Sequence, residues 1–135
     1  EAGLVRVSVC TNSDQKTHAD PWIDEIERAT NCKGLLRDRW YRNGSGHRRA
    51  IDGNGVKDLT VICGADMRTA ILIDNSPSAA KQKLNLLNVP AFCGDPLDIE
   101  MLRLISSIDT LLKRVNADPA FDVRGQLTYK GGEGG

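Results

Sequence analysis

Val5, Val7 and Val9, just after Leu4, alternate with Arg6 and Ser8, a period of two that predicts a strand with one buried face, ending at Cys10-Thr11-Asn12-Ser13. Asp20-Pro21 reads as a helix start, and Trp22, Ile23, Ile26 and Ala29 carry helical spacing as far as Gly34, which fits a helix end. A strand is expected over residues 35–41. Residues 43–55 place Gly44, Gly46, Gly53 and Gly55 among polar residues and predict a loop or hairpin. Val56-Lys57-Asp58-Leu59 opens another ordered segment. The apolar run 69–73 suits a central strand of a parallel sheet. Ser76-Pro77 predicts a helix start, and residues 89–93 a short strand. From Asp95-Pro96, Leu97, Met101, Leu102, Leu104, Ile105, Ile108, Leu111, Leu112 and Val115 recur at three- and four-residue steps and predict a long helix whose stripe faces the core, with a partner interface as the lesser reading. Strands alternating with helices give an α/β layer fold with a mainly parallel sheet.

The 135 residues fit one domain. We expect it to span residues 1–127, with a flexible Gly-rich tail at 128–135. Eighteen Lys and Arg balance eighteen Asp and Glu, so the chain lacks the basic excess of a polyanion binder and no nucleic-acid partner is expected. No apolar run approaches the length of a membrane span, and nothing resembles a signal peptide. Cys10, Cys32, Cys63 and Cys93 fit no zinc spacing and are expected to be buried, reduced thiols of an intracellular protein. With His18 and His47 the only histidines, a His-rich metal site is excluded. Trp22 and Trp40 are expected to pack at a helix base and on a strand face.

In such folds ligands bind beyond the carboxyl ends of the strands. Two polar clusters fall there: Thr11-Asn12-Ser13 and Asp74-Asn75-Ser76. Thr11 offers a hydroxyl and a backbone N–H to a phosphoryl oxygen. Asp74 and Asn75 offer the hard oxygens that Mg²⁺ prefers. Lys57 is a mobile charge able to neutralise a phosphate. Phosphoryl transfer is mostly positioning plus charge stabilisation, so this set would supply much of it. Taken singly, each is weak: Thr11 is more often a strand-end residue, Lys57 more often a solvated side chain, and Asp74-Asn75 more often a turn.

The motif Ile-Leu-Ile-Asp-Asn-Ser-Pro (71–77) resembles the fourth motif of the small C-terminal-domain phosphatases, also called NLI-interacting-factor-like phosphatases, a branch of the haloacid dehalogenase superfamily. Val9 through Ser13 resembles the second motif and Val56-Lys57-Asp58-Leu59 the third. His18-Ala19-Asp20-Pro21, Leu36-Arg37-Asp38, Asp95–Leu112 and Asp122-Val123-Arg124 follow in the family's order. The resemblance implies a haloacid-dehalogenase-like, Rossmannoid three-layer fold. It implies that Thr11 holds the transferring phosphoryl group, that Lys57 offsets its charge, and that Asn75 ligates Mg²⁺ with support from Asp74. Asn12 would contact substrate. Arg37 would touch the substrate phosphate, with Arg39 and Arg42 standing close by.

One departure bears on the chemistry. The family's nucleophile lies in an Asp-x-Asp-x-Thr motif on the first strand, and no two aspartates of this chain are separated by a single residue. Attack by a carboxylate needs that group, so the expectation is a chain lacking the first, nucleophile-bearing strand. The alternating stretch that begins near Leu4 points the same way. Between residues 33 and 49, six basic residues (Lys33, Arg37, Arg39, Arg42, Arg48, Arg49) stand against Asp38 alone, a local excess of +5. A solvated hairpin is the plainer reading, and a basic lip for an acidic phosphopeptide the functional one. His18 matches a tyrosine position and is given no role.

The expected function is therefore a Mg²⁺-dependent serine/threonine phosphatase acting on a phosphoprotein segment through an aspartyl-phosphate formed outside this chain, in the nucleus or cytoplasm, the mitochondrion being the other compartment. The absence of a cap insertion after Thr11 predicts an open site suited to protein substrates. The alternatives are an inactive binding module resembling the mitochondrial presequence-translocase receptor domain, and a superfamily member acting on a small phosphoester.

Overall fold

The computed structural model describes residues 5–42, 49–91 and 93–127. Leu4, Gly44, Gly46, His47, Arg48, Phe92 and the glycine-rich segment 128–135 lie outside them, so the expectations for the tail and for most of the basic loop are not addressed by the structure. The elements run β1 (Ser8–Thr11), α1 (Asp20–Thr30), β2 (Asp38–Tyr41), α2 (Leu59–Cys63), β3 (Leu72–Asp74), β4 (Leu86–Asn88) and α3 (Glu100–Ala117), with a π-helical turn at Gln15–Ala19 and 3-10 turns at Pro77–Ala79 and Lys83–Asn85.

The fold is α/β and its strands pair in parallel, but among the described residues they form two separate pairs rather than one sheet. β1 pairs with β2, Ser8 opposite Asp38 and Thr11 opposite Tyr41. β3 pairs with β4, Leu72 opposite Leu86 and Asp74 opposite Asn88. Each pair has its own core. Ala50, Ile51 and Ile62 are buried against Cys10, Trp40 and Val61 beside the first pair. Leu59, Met67, Ala70, Leu72 and Ala80 are buried against Leu86 beside the second. Leu59 and Ile62 both lie on α2, three residues apart, so this one short helix contributes to both cores.

α1 has Pro21 in its first turn and ends on Asn31, whose left-handed backbone (φ 55°) lets the chain turn back. The helix ends there rather than at Gly34. It is held to β2 by Arg39, which bonds Asp20 at 3.0 Å, Asp24 at 2.8 Å and Glu27 at 3.1 Å. Tyr41 donates its hydroxyl hydrogen bond to the same Asp20. Glu27 also accepts from the Leu36 amide at 2.9 Å. Arg39 is thus a structural clamp, not part of a basic lip.

Several expectations are corrected. The strand expected at 35–41 covers only Asp38–Tyr41. The strand expected at 89–93 lies earlier, at Leu86–Asn88, because Pro90 has no N–H to give a ladder. Ser76-Pro77 starts only a single 3-10 turn. Asp95-Pro96 precedes a turn, and α3 begins at Glu100. The stripe of α3 is not all core: Leu104 and Leu111 are buried, while Leu97, Met101, Leu102 and Ile105 are exposed. Trp22 is likewise exposed, whereas Trp40 packs as expected. All four cysteines are free, but none is fully buried; Cys32, Cys63 and Cys93 are exposed. None of the helices in the described residues is long and apolar enough to cross a membrane.

Candidate functional site

The segment carrying Lys57 is fixed on both sides. An antiparallel bridge joins it to Ile51, and a parallel bridge joins it to Ala80. The Lys57 amide donates to the Ala79 carbonyl at 2.6 Å, and the Lys57 carbonyl accepts from the Lys81 amide at 3.0 Å. Residues 79–81 run on from the last residue of the 3-10 turn after β3. This stitching carries Lys57 to the carboxyl end of β3, where its ammonium meets Asp74 at 2.5 Å. Both side chains are about nine-tenths buried, at 11% and 10% exposure. The second oxygen of Asp74 accepts from the Ser76 amide at 2.9 Å. The Asp74 carbonyl accepts from Val89 N at 3.1 Å and from Asn88 Nδ2 at 3.2 Å. Asp74 is therefore locked through both its side chain and its backbone, and Asn75 beside it is exposed.

Thr11 ends β1, half-buried, with its hydroxyl accepting from the Ser13 amide at 3.1 Å. Its two neighbours tie it to the Lys57 segment. Asn12 lies against Gly55: a Cβ there would sit 2.9 Å from Asn12 Nδ2, and Gly55 has φ +80°. That φ is one that residues with a side chain rarely adopt, and it favours glycine there. Cys10 lies within the field of Lys57 and Asp74. Burial pushes its thiol up to about 11; Lys57 opposes the rise, and Asp74 and Cys63 add to it. At neutral pH Cys10 is a protonated thiol packed in the core rather than a nucleophile.

Lys57 is thus joined to the end of β3 through Asp74, and Asn12, just past β1, lies against the loop that precedes Lys57, although the two strands belong to different sheets. Arg37 does not join them. It precedes β2, at the amino end of the β1–β2 pair, folded over Gly34, where a Cβ would lie 2.8 Å from its Nε. The register puts Arg42 at the other end: Tyr41 is opposite Thr11, and Arg42 follows it, exposed. Arg42 was one of three neighbouring arginines in the sequence, and only the strand register distinguishes them.

Mg²⁺ is often bound by one or two carboxylates together with waters and phosphate oxygens. Asp74 and Asn75 carry oxygen donors of that kind; both Asp74 oxygens already accept, one from Lys57 and one from the Ser76 amide, and each keeps a second lone pair. Among the described residues no group of three His, Cys, Asp or Glu side chains gathers to hold a metal.

Residues 2–119 match the family model of the NLI interacting factor-like phosphatases. The chain belongs to this phosphatase family. It is 34% identical over 95 residues to Nuclear envelope morphology protein 1 of Schizosaccharomyces pombe, covering 70% of this chain and 18% of that protein. It is 33% identical over 93 residues to CTD nuclear envelope phosphatase 1 of Xenopus laevis, covering 68% and 36%. Nuclear envelope morphology protein 1 of Saccharomyces cerevisiae is 30% identical over 132 residues, covering 90% and 27%. The chain's match spans about a third or less of each of these relatives, and the family match over residues 2–119 contains β1, the Lys57 segment and the Asp74 turn.

Proposed function

We propose that this chain supplies part of the site of a Mg²⁺-dependent protein serine/threonine phosphatase of the haloacid dehalogenase type. The observation that carries the reading is the nearly buried Lys57–Asp74 pair at the carboxyl end of β3, with the end of β1 held against the same segment. In this reading a carboxylate outside these residues attacks phosphorus, the serine or threonine oxygen leaves as a hydroxyl protonated by an acid also outside these residues, and water then hydrolyses the aspartyl-phosphate, releasing inorganic phosphate and restoring the carboxylate. Thr11 donates its hydroxyl and backbone N–H to the transferring group, and Lys57 offsets the charge that builds on its oxygens. Asn12 and Arg42 hold the substrate phosphate from the end of the first strand pair. Asp74 and Asn75 would hold Mg²⁺, whose contribution when bound is to neutralise charge on the phosphoryl oxygens.

The missing Asp-x-Asp pair and the two separate strand pairs support one picture. Each strand of a two-stranded sheet has one unpaired edge. Val5, Val7 and Ile73 stand exposed beside β1 and in β3. A further strand bearing the nucleophile, set between β1 and β3, would complete a three-layer fold and cover that apolar surface. The substrate is a phosphoprotein segment, and the nuclear-envelope names of the three relatives support a nuclear, intracellular location.

The test is turnover of a chromogenic aryl phosphate and of a phosphoserine peptide by the full-length protein with Mg²⁺, with and without Lys57→Ala. Turnover that depends on Lys57 supports the phosphatase. A folded full-length protein with no turnover and clear peptide binding replaces it with the binding module.

A further inference from the structure

We propose that Gln82 is a positioning residue that sets the reach of Lys57 toward Asp74; this rests on the phosphatase reading above. Its carboxamide spans the two segments that carry the pair. Gln82 Oε1 accepts from the Leu59 amide at 2.8 Å, and Gln82 Nε2 donates to Asp58 Oδ1 at 2.8 Å. Asp58 is next to Lys57 in the chain, and Gln82 follows the Ala79–Lys81 stretch that bonds the Lys57 backbone. Two peptide hydrogen bonds hold Lys57 itself, and Gln82 adds two more just beyond them, so the segments cannot hinge about the bridge.

The position demands one acceptor and one donor at a fixed separation. A carboxamide supplies both. Glutamate of the same shape keeps the acceptor but loses the donor, and sets a second carboxylate against Asp58. Leucine supplies neither. The charged groups around position 82 are Asp58, whose Oδ2 takes Lys81 Nζ at 3.3 Å, then Lys57 and Asp74 across the bridge, and Lys83, whose ammonium goes to the Pro77 carbonyl at 2.7 Å. Two carboxylates sharing one site ionise one after the other, the second at raised pH. A protonated glutamate can again donate to Asp58 while its carbonyl accepts from Leu59.

The experiment uses the full-length protein and compares kcat and KM for an aryl phosphate between pH 5 and pH 8 in wild type, Gln82→Glu and Gln82→Leu, with melting curves to establish folding. The expected result for Gln82→Glu is a kcat about tenfold below wild type at pH 7.5, as for loss of one or two hydrogen bonds. That deficit closes toward pH 5, with KM little changed. Gln82→Leu should show a loss that does not close. A deficit in Gln82→Glu that is equal at every pH, or wild-type kcat in both variants, overturns the proposal. If wild type itself does not turn over, the phosphatase reading fails, and the positioning role is judged by the Lys57 Nζ NMR resonance. Displacement in Gln82→Glu at pH 7.5 with return at pH 5 upholds it, and an unmoved resonance overturns it.

Discussion

Lys57 and Asp74 are seventeen residues apart in sequence and 2.5 Å apart in space, joined as an ion pair shielded from water. The pair fixes where β3 ends relative to the Lys57 segment. Removing one member leaves a nearly buried charge without compensation, which costs about 3–5 kcal/mol. Lys57→Ala is therefore expected to lower the unfolding free energy by about 3 kcal/mol as well as to abolish turnover. Lys57→Ala combined with Asp74→Ala should regain part of the stability and none of the activity. Denaturant titration of the two variants checks the stability, and the double variant falling below the single one would contradict the pairing.

The β1–β2 register separates two arginines that the sequence left together. Arg42 is beside the end of β1, and Arg37 is at the far end of the strand pair. A charge-assisted hydrogen bond to phosphate is worth about 1.5–3 kcal/mol. Arg42→Ala should raise KM for a phosphopeptide about 10- to 100-fold, and Arg37→Ala should leave it within about twofold. Steady-state kinetics on the full-length variants decides between them.

Asp58 caps α2. The Thr60 hydroxyl at 2.6 Å, with Gln82 and the Thr60 amide, holds its carboxyl down at about 2. A carboxyl lowered on folding contributes stability above its unfolded value near 4, and that contribution is lost as pH falls through its folded value. Stability should therefore drop by about 1–2 kcal/mol from this group between pH 4 and pH 2. Asp58→Asn should be less stable at pH 7 and flatter over that window. Urea unfolding at several pH values measures it, and parallel curves for the two proteins would count against the cap.

The apolar stripe of α3 divides by burial. Leu104 and Leu111 are enclosed, while Leu102 and Ile105 are in solvent. Leu104→Ala and Leu111→Ala should each cost about 2–5 kcal/mol. Leu102→Ser and Ile105→Ser should stay within about 0.5 kcal/mol in this chain. Thermal unfolding of the four variants gives the comparison.

The chain's periodicity predicted β1, α1 and α3 because each has enough residues to show a period. Their ends were less legible. α1 stops at Asn31 because of a left-handed backbone, not at the later glycine. β4 is only three residues long and follows a 3-10 turn, too short to display alternation. Lys57 and the Asp74-Asn75 turn were readable from residue type and spacing. Their contact was not, since it depends on the backbone bridge between Lys57 and Ala80. The places of Arg42 and Gln82 in the fold were hidden for the same reason: strand register and cross-segment hydrogen bonds have no local signature. The half-exposed stripe of α3 shows the converse limit, in that periodicity gives the apolar face of a helix and not what covers it.

In the proposed site Thr11, Asn12, Lys57 and Asn75 surround one tetrahedral phosphoryl group. Titrating ¹⁵N-labelled full-length protein with tungstate in the presence of Mg²⁺, and following the amides by NMR, tests it directly. These four residues should shift together along one saturable curve, and the curve should be lost in Lys57→Ala. Shifts confined to some other face of the molecule, with these four unmoved, would contradict it.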